Sequence, residues 1–313
     1  GEAPGLLELA QSRFAAEQLL GWLELPVIAR RAGIDLTLDQ LADEIKFRHL
    51  QAYPASGIPL AHRDLLVGGG VGVPPLIGLA RRLRATGKNS FAEYLDALER
   101  NGGDEWERFV NSLTTNLTSF FREPHHFPIF AEHLHKLGTR RPIRVWCSAA
   151  STGEEPYSIA ITVAETFGSN TSHVSIMASD LDTNVLATAQ KGVYPIERVE
   201  KLSPERLRKF FLRGTGAQEG YVSVRPELKN MIQFQRINLL DQNYPVKGPV
   251  DVIFCRNVMI YFDKPTQYKI LSRFAPLMQA DGLMFAGHSE SFLHAADLFK
   301  SQGKTVYTLA GAR

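Results

Sequence analysis

Glu154 and Glu155 follow Ser148-Ala149-Ala150-Ser151-Thr152-Gly153, and this stretch follows the apolar run Ile143-Arg144-Val145-Trp146-Cys147. A strand-to-helix turn in that position receives nucleotides in doubly wound α/β proteins, where glycines admit a pyrophosphate. This turn has one glycine, Gly153, and two carboxylates that would repel a pyrophosphate or triphosphate. Other apolar runs also end in polar residues: Ala178-Ser179-Asp180, Asn238-Leu239-Leu240-Asp241, and Cys255-Arg256-Asn257 with Tyr261 shortly after. Ligands of open α/β sheets lie beyond the carboxyl ends of the strands, so these residues belong together. Small residues admit close approach, and Asp180 is placed to accept hydrogen bonds from ribose hydroxyls. A cationic nucleoside without phosphate suits such a rim. S-adenosylmethionine is one, with its sulfonium and ammonium groups.

Simpler readings stand beside this one. An Asp ending a strand is often the N-cap of the next helix. Glutamates at a helix start complement its dipole. Cys255 and Tyr261 fit core packing. Taken singly, none of these residues is specific; at successive strand ends they favour a cofactor site.

The elements that must position them fall into two regimes. Up to about residue 135 the periodicity is helical, over Leu6–Leu25, Gly78–Arg84, Phe91–Arg100 and Glu105–Phe121, with Asp104 as N-cap of the last. From about residue 142 short β-branched runs alternate with amphipathic segments, as βαβ units do. Strands are expected at 143–148, 174–179, 250–255, 283–287 and 305–309, and helices near 155–167, 183–191 and 265–279, with Asp281-Gly282 as a turn. Ser203-Pro204-Glu205 opens a further helix, and Tyr221–Val224 with Ile232–Ile237 reads as a small antiparallel excursion. Residues 37–77 fit neither regime. Gly68-Gly69-Gly70-Val71-Gly72 lacks the following Gly-Lys-Ser/Thr of a phosphate loop.

With 313 residues, 44% hydrophobic and 22% charged, the chain suits one large or two ordinary domains. A formal net charge of +2 gives no argument for nucleic acid. No stretch has the make-up of a secretion signal, and the longest uncharged run, Leu65–Ala80, is broken by glycines and prolines. Cys147 and Cys255 read as small core hydrophobes rather than metal ligands, and the expected setting is cytoplasmic.

Several of these segments resemble the bacterial chemotaxis receptor methyltransferases, the CheR family. They are Asn116-Leu117-Thr118-Ser119-Phe120-Phe121-Arg122-Glu123, Ala150–Ser158, Ala178-Ser179-Asp180, Ile253–Phe262 and Gly287-His288-Ser289-Glu290. The likeness runs from residue 78 to the end; Arg31–Leu36 also resembles the family's amino-terminal domain, and 37–77 departs from it. The resemblance implies a Rossmann-like S-adenosylmethionine-dependent methyltransferase domain at 136–313 with a small antiparallel β-subdomain near 213–238. An all-helical domain and linker helix at 1–135 would precede it.

What the resemblance implies for function is methyl transfer from S-adenosylmethionine to glutamate carboxylates of chemoreceptors, leaving S-adenosylhomocysteine and requiring no metal. Asn116, Thr118, Arg122, Glu155, Asp180, Asn238, Leu239, Arg256 and Asn257 would line the cofactor site. Arg122 and Tyr261 would act at the reacting groups. Arg81, Arg82 and Arg84 would meet acidic receptor helices, and Arg213–Val224 would add a receptor's carboxyl-terminal peptide as a strand. A methyltransferase acting on another protein or a small molecule, or a non-enzymatic adapter, are the alternatives. A dinucleotide oxidoreductase is disfavoured by the missing Gly-x-Gly-x-x-Gly.

Overall fold

A computed structural model describes residues 82, 85–88, 91–101, 103–114 and 116–311. The expected Leu6–Leu25 helix, residues 31–77, the glycine run at 68–72, and Arg81 and Arg84 lie outside the described residues. The chain divides into two compact units, Gly1–Thr115 and Asn116–Arg313.

In the first unit, α1 (Phe91–Asn101) and α2 (Gly103–Leu113) are amphipathic helices. Tyr94 and Leu98, four residues apart on one face of α1, are buried, as are Phe109 and Val110 of α2. The Tyr94 and Phe109 rings lie 6.0 Å apart. Arg82 Nε donates to Glu105 Oε1 at 2.8 Å, and its Nη2 pairs with Glu105 Oε2. Tyr94 Oη donates to the same carboxylate at 2.8 Å. The helix expected to reach Phe121 therefore stops at Leu113. Residues 116–119 are irregular, and Phe121 and Glu123 adopt positive φ, which no α-helix accommodates.

The second unit begins with this strap. After it come α3 (His126–Leu137), β1 (Ile143–Cys147), α4 (Glu154–Phe167), β2 (Val174–Asp180), α5 (Thr183–Lys191) and β3 (Val193–Pro195). Then follow α6 (Pro204–Phe210), β4 (Phe211–Arg213), β5 (Tyr221–Val224), α7 (Pro226–Lys229), β6 (Ile232–Arg236) and β7 (Val250–Cys255). Last are α8 (Lys264–Phe274), β8 (Met278–Ala286), β9 (Phe299–Ser301) and β10 (Val306–Leu309). The main sheet has the order β6-β2-β1-β7-β8-β10-β9. Its pairs are parallel from β6 to β8 and antiparallel at β10 and β9.

Side-chain alternation sends each central strand into both cores. Val145, Cys147, Val252 and Phe254 join α3 and α4 on one face, while Trp146, Ile253 and Cys255 join α8 on the other. Strands buried on both faces read as nearly continuous apolar runs, which is why they were legible.

Four further expectations are corrected. Ile232–Arg236 is not part of the antiparallel excursion; it pairs parallel with β2, Ile232 opposite Ile176 and Arg236 opposite Asp180. The small sheet is β3-β5-β4, drawn from residues 193–224 rather than 213–238. Asp281-Gly282 lies inside β8, at a register shift against β7, and α8 ends earlier, at Phe274. Backbone proximity explains this glycine, since a Cβ on Gly282 would lie 3.0 Å from Asp251 O.

Candidate functional site

Asp180 is the last residue of β2, at the carboxyl edge of the parallel strands. Its Oδ2 accepts the Ser151 N–H at 2.8 Å and its Oδ1 the Asp182 N–H at 3.0 Å. Asp182, not Asp180, caps α5, accepting the N–H groups of Asn184 and Val185. The simpler cap reading thus belongs to its neighbour. Burial raises the Asp180 carboxyl above the ordinary range, opposed by the backbone donors of Asp182 and Ser151. Asn116 Nδ2 donates to Asp182 Oδ2 at 3.1 Å, and Ser151 Oγ reaches Asn116 Oδ1 at 3.5 Å. Asn116 on the strap therefore reaches Asp180 through Ser151 of the β1 turn and Asp182 after β2.

The β1 turn is tight. Ser151 has φ +48°, and Gly153, the α4 N-cap, has φ +100°. A Cβ on Gly153 would lie 2.7 Å from Tyr194 Oη, so this glycine is required. Tyr194 Oη donates to Thr152 O at 2.8 Å. Fully buried Glu154 takes the Thr152 hydroxyl at 2.6 Å and faces Arg198 at 3.3 Å, while Arg198 Nη1 donates to Thr118 O at 3.4 Å.

Arg256, 4% exposed, sits between two carboxylates. Its Nη1 donates to Glu155 Oε2 at 2.8 Å; its Nη2 faces Glu123 Oε2 at 3.4 Å and donates to Arg122 O. Cys147 Sγ donates to Glu155 Oε1 at 3.3 Å. Burial pushes the Glu155 carboxyl up, with Arg256 pulling the other way. Burial acts likewise on Glu123, but Arg256, His288 and Asn257 outweigh it and hold that carboxyl down at about 2. Glu123, His125 and His126 present ligand atoms within 4.8 Å of one another, yet the carboxylate already faces a fixed cation in Arg256.

Asn257 has φ +57° and donates from Nδ2 to Glu123 Oε1 at 3.1 Å. Glu290 accepts the N–H groups of Asn257 (2.9 Å), Met259 (2.7 Å), Ile260 (3.3 Å) and Gly287 (2.5 Å). That buried clamp shapes the short turn Met259–Tyr261, on which Tyr261 is half-buried. Asn238 Oδ1 accepts the Leu240 N–H at 3.0 Å, Leu239 O accepts the Tyr244 hydroxyl at 2.6 Å, and Ile237 N–H bonds Asp180 O. Arg122, half-buried, donates from Nη1 to Leu117 O at 2.8 Å.

Asn116 and Asp180 thus join through Ser151 and Asp182, while Glu155, Arg256 and Asn257 join directly or through Glu123. Thr118, Arg122, Asn238, Leu239 and Tyr261 lie on segments bonded to one group or the other. Arg82 belongs to the first unit, where Glu105 holds its guanidinium. Residue-by-residue reading missed Glu123, Asp182, Arg198 and Glu290. Glu123 and Glu290 stand inside the recognised segments, but no spacing rule singles them out.

Residues 116–308 match the family described as CheR methyltransferase, SAM binding domain, and residues 78–114 match CheR methyltransferase, all-alpha domain. The chain belongs to the CheR methyltransferase family. Among its relatives, the chemotaxis protein methyltransferase of Salmonella typhimurium is 54% identical over 233 residues, 74% of this chain and 80% of that protein. The Escherichia coli chemotaxis protein methyltransferase is 53% identical, over 74% of this chain and 81% of its own length. Pseudomonas aeruginosa chemotaxis protein methyltransferase 2 is also 53% identical, over 74% and 83%.

The cofactor of this CheR chain is S-adenosylmethionine, and its donor set fits that ligand. The α4 start is sealed by Tyr194 and carries Glu154, so it offers no cradle for a pyrophosphate. The edge instead carries the carboxylate of Asp180 and the amides of Asn116, Asn238 and Asn257, group types that pair with hydroxyl, amino and cationic groups. Among the described residues no helix is long and apolar enough to cross a membrane.

Proposed function

We propose that this CheR chain methylates glutamate side-chain carboxylates on the cytoplasmic helices of chemoreceptors, forming methyl esters. The observation that carries the reading is the disposition of arginines at the carboxyl edge. Arg256 and Arg198 are held by buried carboxylates, whereas Arg122 hydrogen-bonds a carbonyl, Leu117 O. A guanidinium placed so is suited to orient an incoming carboxylate.

S-adenosylmethionine supplies an activated methyl group on a sulfonium. A substrate carboxylate is nucleophilic at neutral pH without a general base, so the protein's part is positioning and exclusion of water. Asp180 accepts from the ribose hydroxyls; Asn116, Thr118, Asn238, Leu239 and Asn257 line the nucleoside. Glu155 and Arg256 keep the strand ends fixed. Arg122 aligns the carboxylate, with the Tyr261 hydroxyl beside it. Arg81 and Arg84 would contribute the basic contact to receptor helices, with Arg82 engaged by Glu105.

The small sheet suits capture of an extended receptor tail, at β4. Gly214 N–H bonds Tyr221 O and Arg225 N–H bonds Phe210 O, so Arg213 directs its N–H and carbonyl outward, while the Phe211 N–H is held by Leu207 O at the end of α6. On the other edge, Pro195 occupies an outward position and has no N–H to offer. Added there as a strand, a tail would raise the local concentration of the receptor's methylation helices.

The test is transfer of labelled methyl from S-adenosylmethionine to receptor-containing membranes. Label released by mild base is the expected result. Label that resists base, or label found only on small molecules, would refute the glutamate ester.

A further inference from the structure

Arg122 lies between two residues with left-handed backbone, Phe121 at φ +52° and Glu123 at φ +54°. Neither is a glycine or asparagine, and such strain persists only where the surroundings impose it. The restraints are on both sides. Phe121 N–H donates to Ser158 Oγ at 2.9 Å, and the Arg206 guanidinium lies 3.9 Å over the Phe121 ring. Arg122 O accepts from Arg256.

Glu123 supplies the densest restraint. Its side chain is 9% exposed and receives Asn257 Nδ2 and the His288 N–H, each at 3.1 Å. His288 Nδ1 lies at 3.4 Å, Arg256 Nη2 at 3.4 Å and His126 Nδ1 at 3.6 Å. These groups come from the end of β7, the residues after β8 and the start of α3. One carboxylate therefore ties the strap to two strand ends and a helix, immediately after the arginine that projects from it.

We infer that Glu123 is a positioning residue for methyl transfer, holding the strained 121–123 backbone so that Arg122 is presented to the substrate carboxylate. This rests on the reading of Arg122 above. It assigns Glu123 no contact with substrate or cofactor. Glutamine in its place keeps the shape but loses the charge that gathers Arg256 and the N–H donors, and its amide turns donors toward donors.

A double-mutant cycle on the full chain tests this, with labelled-methyl turnover on receptor membranes and S-adenosylmethionine binding by calorimetry. Glu123→Gln is expected to lower kcat by about tenfold or more, with cofactor Kd changed by less than about threefold. Combined with Arg122→Ala, it should cost little beyond Arg122→Ala alone. Losses that multiply would show Glu123 acting independently of Arg122 and overturn the inference. So would activity restored by saturating S-adenosylmethionine, which would make Glu123 part of cofactor binding. If Glu123→Gln does not fold, Glu123→Asp carries the same cycle, since it keeps the charge but cannot span Arg256 and His288 together. Full turnover by Arg122→Ala alone would remove the underlying reading, a result visible before the cycle is closed.

Discussion

Asp180 and Asp182 lie two residues apart and differ in role. Because Asp182 caps α5, replacing Asp180 should leave that helix intact. Asp180→Ala would strip the ribose diol of its charged acceptor, at a cost of roughly 1.5–3 kcal/mol. S-adenosylmethionine affinity, measured by calorimetry, should fall about tenfold or more. Unchanged affinity in the folded variant would mean that Asp180 serves only the Ser151 turn. Arg122→Ala should reduce turnover more than cofactor affinity, and Arg122→Lys should recover little, because an ammonium cannot reproduce the planar fork. A fully active lysine variant would reduce the role of Arg122 to charge alone.

At the scale of elements, the small sheet changes what a mutational test must touch. Val222 and Val224 lie on β5, the central strand, and are 5% and 1% exposed. Proline there would remove the N–H groups that bond β3 and empty the core beneath, so any loss of binding would say nothing about the β4 edge. Arg213→Pro instead removes an outward N–H and leaves the Leu212–Ser223 pairing in place. A tail peptide from the host's receptors should lose most of its affinity for this variant, with S-adenosylmethionine binding unchanged. Wild-type affinity for the peptide would place the tail elsewhere.

At the scale of the whole second unit, His126 and Glu123 contribute to the pH dependence of stability on the acid side. Burial first, and Arg256 next, push the His126 imidazole down to about 4 from an ordinary 6.5. Between those values the unfolded chain binds a proton that the folded chain refuses, so stability is complete above the ordinary histidine value and falls with pH toward about 4. Glu123, held at about 2, stays ionised lower still, and its contribution is lost as pH drops from the ordinary carboxylate range through about 2. Denaturant midpoints should thus decline from near pH 6.5 downward. His126→Gln should flatten the upper part of the decline and Glu123→Gln the lower; an unaltered profile in either variant would remove that group from the linkage.

The sequence by itself determined the elements whose local chemistry is self-sufficient. Apolar runs bounded by turn residues mark β1, β2 and β7, and the near-complete burial of β1 and β7 keeps those two runs almost unbroken. The polar residues ending those runs had to fall at one edge of a parallel sheet, so Asp180, Arg256 and Asn257 were legible. Tertiary structure decided what depends on distant partners. Ile232–Arg236 has the same character in either sheet, and only its register against β2 assigns it. Which strand of β3, β4 and β5 is central cannot be read from three short runs, and that choice decides which backbone faces solvent. Glu123 and Glu290 look like surface carboxylates until Arg256, Asn257 and His288 arrive from positions 33 to 165 residues away along the chain. Burial of a charge becomes tolerable only once its partners are in place, and the partners are set by the fold rather than by the neighbouring residues.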